Sequence, residues 1–363
     1  MSDDLRQRIE DTLLGHRNAL IDDALRYAGT VRELHIDGGH VTADLEVGFP
    51  VGHLAQSLIG ELRAAVEALP EVERAEIRLH PVIGSYAAQQ NVERLKSVRN
   101  IIAVSSAKGG VGKSTVAANL TLALAAEGAS VGMLDADIYG PSQPRMLGAQ
   151  GAPKTRPDKT FEPMRSHGVQ SMSIGYLIDE EQPMVWRGPM VSQALQQMLN
   201  DTSWQDLDYL IIDMPPGTGD IQLTLSQRVP LAGAIIVTTP QDIATLDARK
   251  GLQMFNKVSV PVLGIVENMS MHVCSNCGHE EHIFGAGGGE RVASDYGVPM
   301  LGALPLDIRI REHADSGRPT VIADPEGETA QRYRSIALRM TARLSALTTE
   351  AGSQFPEIAV EED

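Results

Sequence analysis

The chain has 363 residues, a length typical of two domains, and 42% of them are hydrophobic, which is enough to build well-packed cores. Its formal net charge of −16 argues against a nucleic-acid-binding protein, since such proteins usually present a basic face. It contains no run of about 18 apolar residues and no apolar leader after Met1, so we expect a cytoplasmic protein without a nucleic-acid or membrane partner.

The first domain is predicted over 1–80, as a small α-β-β-α-β unit. Apolar residues at helical and alternating spacings predict helix 13–27, strand 31–36, strand 41–47, helix 54–69 and strand 72–79. The turn Asp37-Gly38-Gly39 between the first two strands is typical of a hairpin. This region has no cysteine and no cluster of catalytic side chains, and a polar linker is predicted over 81–100.

Beyond the linker, short and nearly continuous apolar runs alternate with helix-like segments. The runs are 101–105, 131–135, 209–213, 234–238, 262–267 and 301–304. Such runs are typical of parallel strands that are buried on both faces, and the alternation with helices implies right-handed crossovers. We therefore predict an α/β domain over 101–349, with helices on both faces of a parallel sheet, followed by an acidic, disordered tail over 350–363.

A phosphate-binding loop is the most specific motif of the chain. It lies between the first apolar run and a helix-like segment, and it reads Lys108-Gly109-Gly110-Val111-Gly112-Lys113-Ser114-Thr115. In this context backbone N–H groups and the helix N-terminus bind phosphate oxygens, Lys113 reaches the β- and γ-phosphates, and Ser114 faces Mg²⁺. Ala107 replaces the first glycine of the usual motif, which one methyl group should not abolish. The motif predicts a P-loop NTPase that binds ATP and Mg²⁺.

Acidic residues close two of the predicted strands, at the sheet edge where α/β proteins bind ligands. Asp213 ends the run 209–213, and we interpret it as a Walker B aspartate that holds Mg²⁺ through water. Gly217 follows it and is placed to offer its N–H to the γ-phosphate. Asp135 and Asp137 lie at the end of another strand and are candidates for the same site. The competing interpretation is that they only cap the end of that strand.

Three residues after the later strands are candidates for the base-binding side of the site. Asn268 follows the run 262–267, and an amide side chain suits the donor–acceptor edge of a base. Pro305 and Asp307 follow the run 301–304 and are expected beside the base. An ordinary turn role competes equally for these residues.

The only two cysteines, Cys274 and Cys277, form one C-x-x-C motif. Two thiolates can bind one metal ion but are too few for a structural site, which needs four ligands. Three interpretations are open at this point. His272, His279 or His282 completes a zinc site, the pair is a redox dithiol, or a second subunit supplies two more thiolates. The third arrangement gives Cys₄, the common ligand set of a [4Fe–4S] cluster.

The second lysine of the loop, Lys108, gives the motif a resemblance to the deviant Walker A of the signal-recognition, MinD and ParA class of NTPases. The resemblance implies an ATP-dependent homodimer in which Lys108 reaches the partner's nucleotide and acts in catalysis beside Lys113. It also implies that Asp135 supports the water shell of the metal, that Asp137 orients the attacking water, and that Asn268 pairs with adenine. A symmetric dimer favours the shared-thiolate interpretation of the cysteines.

The order of motifs narrows this resemblance. A small N-terminal domain is followed by K-G-G-V-G-K-S-T, D-A-D-I-Y-G-P-S, W-R-G-P-M at 186–190, D-M-P-P-G-T-G-D, C-x-x-C and a glycine run at 284–289. This order resembles the Mrp/ApbC family of iron–sulfur cluster carrier ATPases. The resemblance implies a slow, switch-like ATP hydrolase whose homodimer binds a labile [4Fe–4S] cluster through Cys274 and Cys277 of both subunits. Its implied partners are apo iron–sulfur proteins and cluster-assembly scaffolds.

Two other functions are weighed against this one. A ParA/MinD-like positioning ATPase needs a basic patch or basic amphipathic helix, whereas the C-terminus at 356–363 is acidic. A zinc-stabilised regulatory ATPase needs a closed metal site around the cysteines. We also expect the 186–190 motif either at the dimer interface or in the core, and the 287–289 glycines either at a functional site or in a flexible loop.

Overall fold

The computed structural model describes residues 2–22, 24–86, 92–178, 188–274 and 276–353. The chain divides into two units, of which the first comprises Met1–Tyr86 and Thr341–Asp363 and the second Ala87–Met340. None of the helices within the described ranges is both long and apolar enough to cross a membrane.

The first unit is a three-stranded sheet with helices. Its elements are α1 (Ser2–Leu14), α2 (Ala24–Ala28), β1 (Gly29–Asp37), β2 (His40–Val47), α3 (Leu54–Glu67) and β3 (Arg74–Pro81). The central strand, β2, pairs antiparallel with β1 and parallel with β3. Alternate residues of β2 are buried, as expected for a strand with one face toward the core. Helix α3 buries Leu54, Leu58, Leu62 and Val66, which lie on one face of the helix and contribute to the same core.

The helix predicted over 13–27 is wrong. Helix α1 already ends at Leu14, and helix returns only at α2. Gly15 has little room for a side chain, because a Cβ there lies 2.6 Å from the Asp11 carbonyl oxygen. The Asn18 side chain then accepts a hydrogen bond from the Leu20 backbone at 2.8 Å, a local contact that competes with helix.

The second unit is built on a nine-stranded sheet in the order β11-β10-β9-β4-β8-β5-β7-β6, with β12 pairing with β10. Its strands are β4 (Val98–Ser105), β5 (Val131–Asp135), β6 (Met164–Ser166), β7 (Val169–Ser173), β8 (Leu207–Asp213), β9 (Gly233–Thr238), β10 (Val262–Val273), β11 (Glu280–Glu281) and β12 (Met300–Pro305). All residues of β5 and β9 are buried, as expected for strands that are covered on both faces.

The helices of this unit connect the strands. They are α4 (Lys113–Ala126), α5 (Gln143–Met146), α6 (Gly188–Asn200), α7 (Asp220–Arg228), α8 (Asp242–Lys257), α9 (Gly288–Tyr296), α10 (Ile308–Asp315) and α11 (Thr320–Ala323), with a short 3₁₀ turn at Ile174–Tyr176. The last helix, α12 (Glu328–Ser353), contributes residues from 341 onward to the first unit.

The predicted α/β fold class is confirmed, with three corrections to its details. The sheet is mostly parallel, but β6 is antiparallel to β7 and β11 is antiparallel to β10. The predicted linker over 81–100 overlaps the end of β3 and the first residues of β4. The predicted start of the tail at 350 is also wrong, since α12 continues through Ser353, and 354–363 lie outside the described residues.

Candidate functional site

The loop between β4 and α4 has a backbone that suits glycine. Gly110 and Gly112 have φ angles of +82° and +80°, in the left-handed region that other residues rarely adopt. A Cβ at Gly112 would also lie 2.3 Å from the side-chain nitrogen of Asn268. Ala107 does not adopt a positive φ, which explains why alanine is accommodated where the motif usually has glycine.

The predicted phosphate-binding lysine and the predicted Walker B aspartate meet beside this loop. The Lys113 ammonium forms an ion pair with the Asp213 carboxylate, and the two side chains are 5% and 0% exposed. The ammonium also lies 3.3 Å from the hydroxyl oxygen of Ser114. A buried ammonium needs a counter-charge, and Asp213 supplies it. A bound phosphate group would offer Lys113 an alternative anion.

Asp135 organises the segment that follows β5. Its carboxylate accepts hydrogen bonds from the backbone of Asp137 at 3.2 Å, from the backbones of Ser142 and Gln143 at 3.0 Å each, and from the Ser173 hydroxyl at 3.1 Å. Burial raises the pKa of Asp135 to about 7, and the charge of Asp213 adds to the rise. Burial also raises the pKa of the half-buried Asp137, against the opposing effect of Lys113. Asp135 therefore fixes the segment that carries Asp137.

Two predicted ligand-binding groups are hydrogen-bonded to the loop itself. The N–H of Gly217, expected at the γ-phosphate, donates to the carbonyl oxygen of Ser106 at 2.9 Å. The side-chain amide of Asn268, expected at the adenine edge, donates to the carbonyl oxygen of Val111 at 2.8 Å. Asn268 is 6% exposed, so this contact lies in the interior. Both groups connect neighbouring strands to the phosphate-binding loop.

The other predicted residues lie around these contacts. Lys108 and Gly109 are exposed in the loop, and Thr115 lies in the first turn of α4. Pro305 is buried at the end of β12. Asp307 caps α10 by accepting from the Arg309 backbone at 2.8 Å, and its ion pair with the Arg309 guanidinium holds the pKa of Asp307 below its usual range.

Sequence reasoning missed Gln143, the first residue of α5. Its side-chain amide donates to the Asp213 carboxylate at 2.8 Å and to the Ser114 carbonyl oxygen at 3.0 Å, and the residue is fully buried. The available signal was its position directly after D-A-D-I-Y-G-P-S. A neutral amide carries no charge pattern, so only the three-dimensional contacts identify it.

The cysteines lie in the tight hairpin between β10 and β11. The backbone N–H of Cys274 donates to the carbonyl of His279 at 2.9 Å, and that of Gly278 donates to the carbonyl of Cys274 at 2.8 Å. The backbone N–H groups of Cys277 and Asn276, together with the Cys277 thiol, hold the pKa of the Cys274 thiol below its usual range. Cys274 is half-buried and Cys277 is exposed. A lowered pKa favours thiolate, the form that binds metal.

Two of the three candidate histidines contact a backbone carbonyl oxygen through one ring nitrogen. Nδ1 of His272 lies 3.0 Å from the Leu306 carbonyl oxygen, and Nδ1 of His282 lies 2.7 Å from that of Ser270. Within the ranges that the structure describes, no group of three or more histidine, cysteine, aspartate or glutamate side chains could hold a metal ion. The described side chains therefore do not form a closed zinc site within one chain in this structure.

Gly288 and Gly289, the last two residues of the glycine run, lie in the first turn of α9 and are packed against neighbouring residues. A Cβ at Gly288 would lie 2.4 Å from the Pro240 carbonyl oxygen, and the N–H of Gly289 donates to the buried Glu267 carboxylate at 2.6 Å. Of the predicted interface motif, 186–187 lie outside the described residues. Met190 lies on α6 and is 52% exposed.

A phosphate-binding loop between a central parallel strand and a helix, with a buried lysine–aspartate pair beside it, defines the class of P-loop NTPases. Two solved structures share this fold. One is a nucleotide-binding protein of Archaeoglobus fulgidus in complex with ADP, at 36% identity and a TM-score of 0.57, covering 65% of this chain and 92% of that one. The other is the cell division ATPase MinD of Pyrococcus furiosus, at 23% identity and a TM-score of 0.52, covering 66% and 97%.

Sequence comparison places the chain within this class. Residues 97–341 match the family described as NUBPL iron-transfer P-loop NTPase, and the chain belongs to that family. Residues 6–78 match a second family, described as iron-sulfur cluster assembly protein. The iron-sulfur cluster carrier protein of Escherichia coli (strain K12) is 51% identical over 348 residues, which cover 94% of this chain and 92% of that protein. These matches confirm the resemblance that the motifs indicated.

Proposed function

We propose that this chain is a cytoplasmic, ATP-hydrolysing carrier of iron–sulfur clusters. A homodimer would bind a labile [4Fe–4S] cluster through Cys274 and Cys277 of both subunits, take it from assembly scaffolds and pass it to apo iron–sulfur proteins. Residues 1–80 would form an assembly-type domain, and the residues from β4 to Met340 would form the ATPase domain. The name of the Escherichia coli relative supports this cargo.

The observation that carries the proposal is the cysteine hairpin. It presents two thiols, of which Cys274 has a pKa lowered by the neighbouring backbone N–H groups, and no third protein ligand accompanies them in the described ranges. A cluster with four cysteine ligands is completed when a two-fold axis brings a second hairpin to the first. Exposure of Cys277 is consistent with a site at the surface that another subunit can reach.

The nucleotide would bind at the phosphate-binding loop. Lys113 would exchange the Asp213 carboxylate for the β- and γ-phosphates, which leaves one oxygen of Asp213 for a hydrated cation. The Ser114 hydroxyl and the Asp213 carboxylate are oxygen donors of the kind that Mg²⁺ prefers, so the residues present fit this ion. Mg²⁺ would neutralise charge on the phosphate oxygens. Asp137 would orient the attacking water, and the exposed Lys108 would reach the partner's nucleotide.

One strand supports a link between the nucleotide and the cysteines. Asn268, on β10, is bonded to the loop at Val111, and Cys274 directly follows the last residue of the same strand. Adenine binding would draw the Asn268 amide away from the Val111 carbonyl. A shift of the backbone at Asn268 would be transmitted along β10, which is hydrogen-bonded to its neighbouring strands, to the cysteine hairpin. It would thereby favour either holding or releasing the cluster.

The test is anaerobic reconstitution with iron and sulfide, followed by iron and zinc analysis and size-exclusion chromatography. We expect about four iron atoms per dimer, as Cys₄ ligation requires, and none in the Cys274→Ser and Cys277→Ser variants. ATP binding should persist in both variants, because the loop is a separate site. One zinc per monomer, retained in both aerobic and anaerobic preparations, would contradict the proposal.

A further inference from the structure

Gln143 contacts three parts of the nucleotide site. Its side-chain nitrogen donates to one Asp213 carboxylate oxygen at 2.8 Å and to the Ser114 carbonyl oxygen at 3.0 Å. Its backbone N–H donates to Asp135 at 3.0 Å. One residue thus joins the end of β8, the first turn of α4 and the carboxylate that fixes the segment after β5.

The orientation of the Gln143 carboxamide is determined by its neighbours. A carboxylate and a backbone carbonyl only accept hydrogen bonds, so the NH₂ group must face both of them. The carboxamide oxygen, Oε1, is buried and has no hydrogen-bond partner among the described residues. Buried acceptors without a partner are rare in folded proteins and call for a specific explanation, such as a bound water or ion.

We infer that Gln143 is a positioning residue for the hydrated cation that accompanies ATP. The inference rests on the proposed function, because it assumes that this loop binds ATP with Mg²⁺. The carboxamide oxygen accepts from a water molecule of the cation's hydration shell, which supplies its missing partner. The NH₂ group holds one oxygen of Asp213 in place.

The second role follows from how the Asp213 carboxylate is divided. Its Oδ1 is paired with Lys113 and its Oδ2 with Gln143. When Lys113 moves to the phosphates, Oδ1 loses its partner, whereas Oδ2 keeps the hydrogen bond from Gln143. The carboxylate therefore stays oriented during the exchange, with Oδ1 open toward the cation.

The test compares ATP binding to the full chain by calorimetry, once with Mg²⁺ and once with a chelator. Gln143→Leu and the unbranched Gln143→Met both remove the amide, and the second keeps a side chain of similar length if the first folds poorly. We expect either variant to weaken ATP binding about tenfold in Mg²⁺, the size of one hydrogen bond to a charged group. Without Mg²⁺, their affinity for ATP should stay within about twofold of the parent, since the lost contacts act on the cation.

Gln170→Leu is the matched control. Gln170 is a buried glutamine of β7 that bonds the Gln205 backbone through both its oxygen and its nitrogen, at 2.9 and 2.8 Å. The Gln170→Leu variant should leave the affinity for ATP unchanged both with Mg²⁺ and with the chelator. Equal weakening with and without Mg²⁺, or no weakening, would overturn the role of Gln143. Failure of the parent chain to bind ATP would overturn the proposed function and this inference together, which distinguishes the two failures.

Discussion

The side-chain amide of Asn268 donates to the backbone carbonyl of Val111 at 2.8 Å, so the strand that leads to the cysteines is bonded to the phosphate-binding loop. The close approach of Gly112 to the same amide leaves no space for any larger residue at that position. The loop and β10 are therefore fitted to each other at this contact. A nucleotide that competes for the Asn268 amide would act directly on this contact.

Asn268→Ala is expected to uncouple the nucleotide from the cluster. The variant should bind ATP about fivefold more weakly, as expected for one neutral hydrogen bond, and should still be reconstituted with a cluster. The measurement is cluster transfer to an apo acceptor, monitored by absorbance with and without ATP. In Asn268→Ala the rate of transfer should no longer depend on ATP. Asn100→Ala removes a buried asparagine near the other end of β4 and should keep that dependence. An ATP effect of parental size in Asn268→Ala would contradict the coupling.

Lys113→Ala is expected to abolish ATP hydrolysis and also to destabilise the second unit. It leaves the Asp213 carboxylate buried without its counter-charge, and breaking such a pair typically costs about 3 kcal/mol. Trp204 is buried in this unit, so its fluorescence during urea unfolding reports on it. Adding Asp213→Asn to Lys113→Ala should restore stability while hydrolysis stays lost. Additive destabilisation in the double variant would contradict the pairing.

Lys108→Ala and Asp137→Ala are expected to separate dimer closure from hydrolysis. Lys108→Ala should bind ATP but lose the ATP-dependent dimer, whereas Asp137→Ala should accumulate that dimer and hydrolyse ATP at least about 100-fold more slowly. Size-exclusion chromatography and phosphate release measure the two effects. The exposed Lys154 provides a control through Lys154→Ala, which should behave like the parent. Hydrolysis by Asp137→Ala at the parental rate would leave Asp137 as a residue that only closes its strand.

The sequence predicted those features of the site that depend on local pattern. Asp213 was identifiable because a charge follows four apolar or aromatic residues at the end of a strand, and Lys113 because its loop has a fixed spacing. The contacts of Gln143 and Asn268 were not, since they join neutral amides to partners 70 and 157 residues away along the chain. Strand β7 was missed for a related reason, because its polar residues are buried by their neighbours and break the apolar pattern.

The first unit provides a test of stability against pH. Glu61 accepts hydrogen bonds from Asn18, His16 and Ser57, which hold its pKa below the usual value of 4.5. A lowered folded-state pKa stabilises the fold above the unfolded-state pKa, and this contribution is lost as the pH falls through the folded-state value. Glu61→Gln should therefore lower the calorimetric Tm at pH 7, with a difference that shrinks below pH 4.5. The exposed Glu33 gives a control, since Glu33→Gln should change Tm little at either pH.

Gly278→Ala is expected to weaken cluster binding without touching the nucleotide site. Gly278 has a φ of +72° and closes the hairpin through its bond to the Cys274 carbonyl, so alanine would introduce about 1–2 kcal/mol of backbone strain there. Open space surrounds the position, so the added methyl group has no steric clash and strain alone acts. Gly128→Ala is the matched control, because Gly128 has a φ of +93° and equally open space after α4. Iron content after reconstitution should fall in Gly278→Ala and stay at the parental level in Gly128→Ala, with ATP affinity equal in both. Equal iron content in the two variants would mean that hairpin geometry does not control how the cysteines hold the cluster.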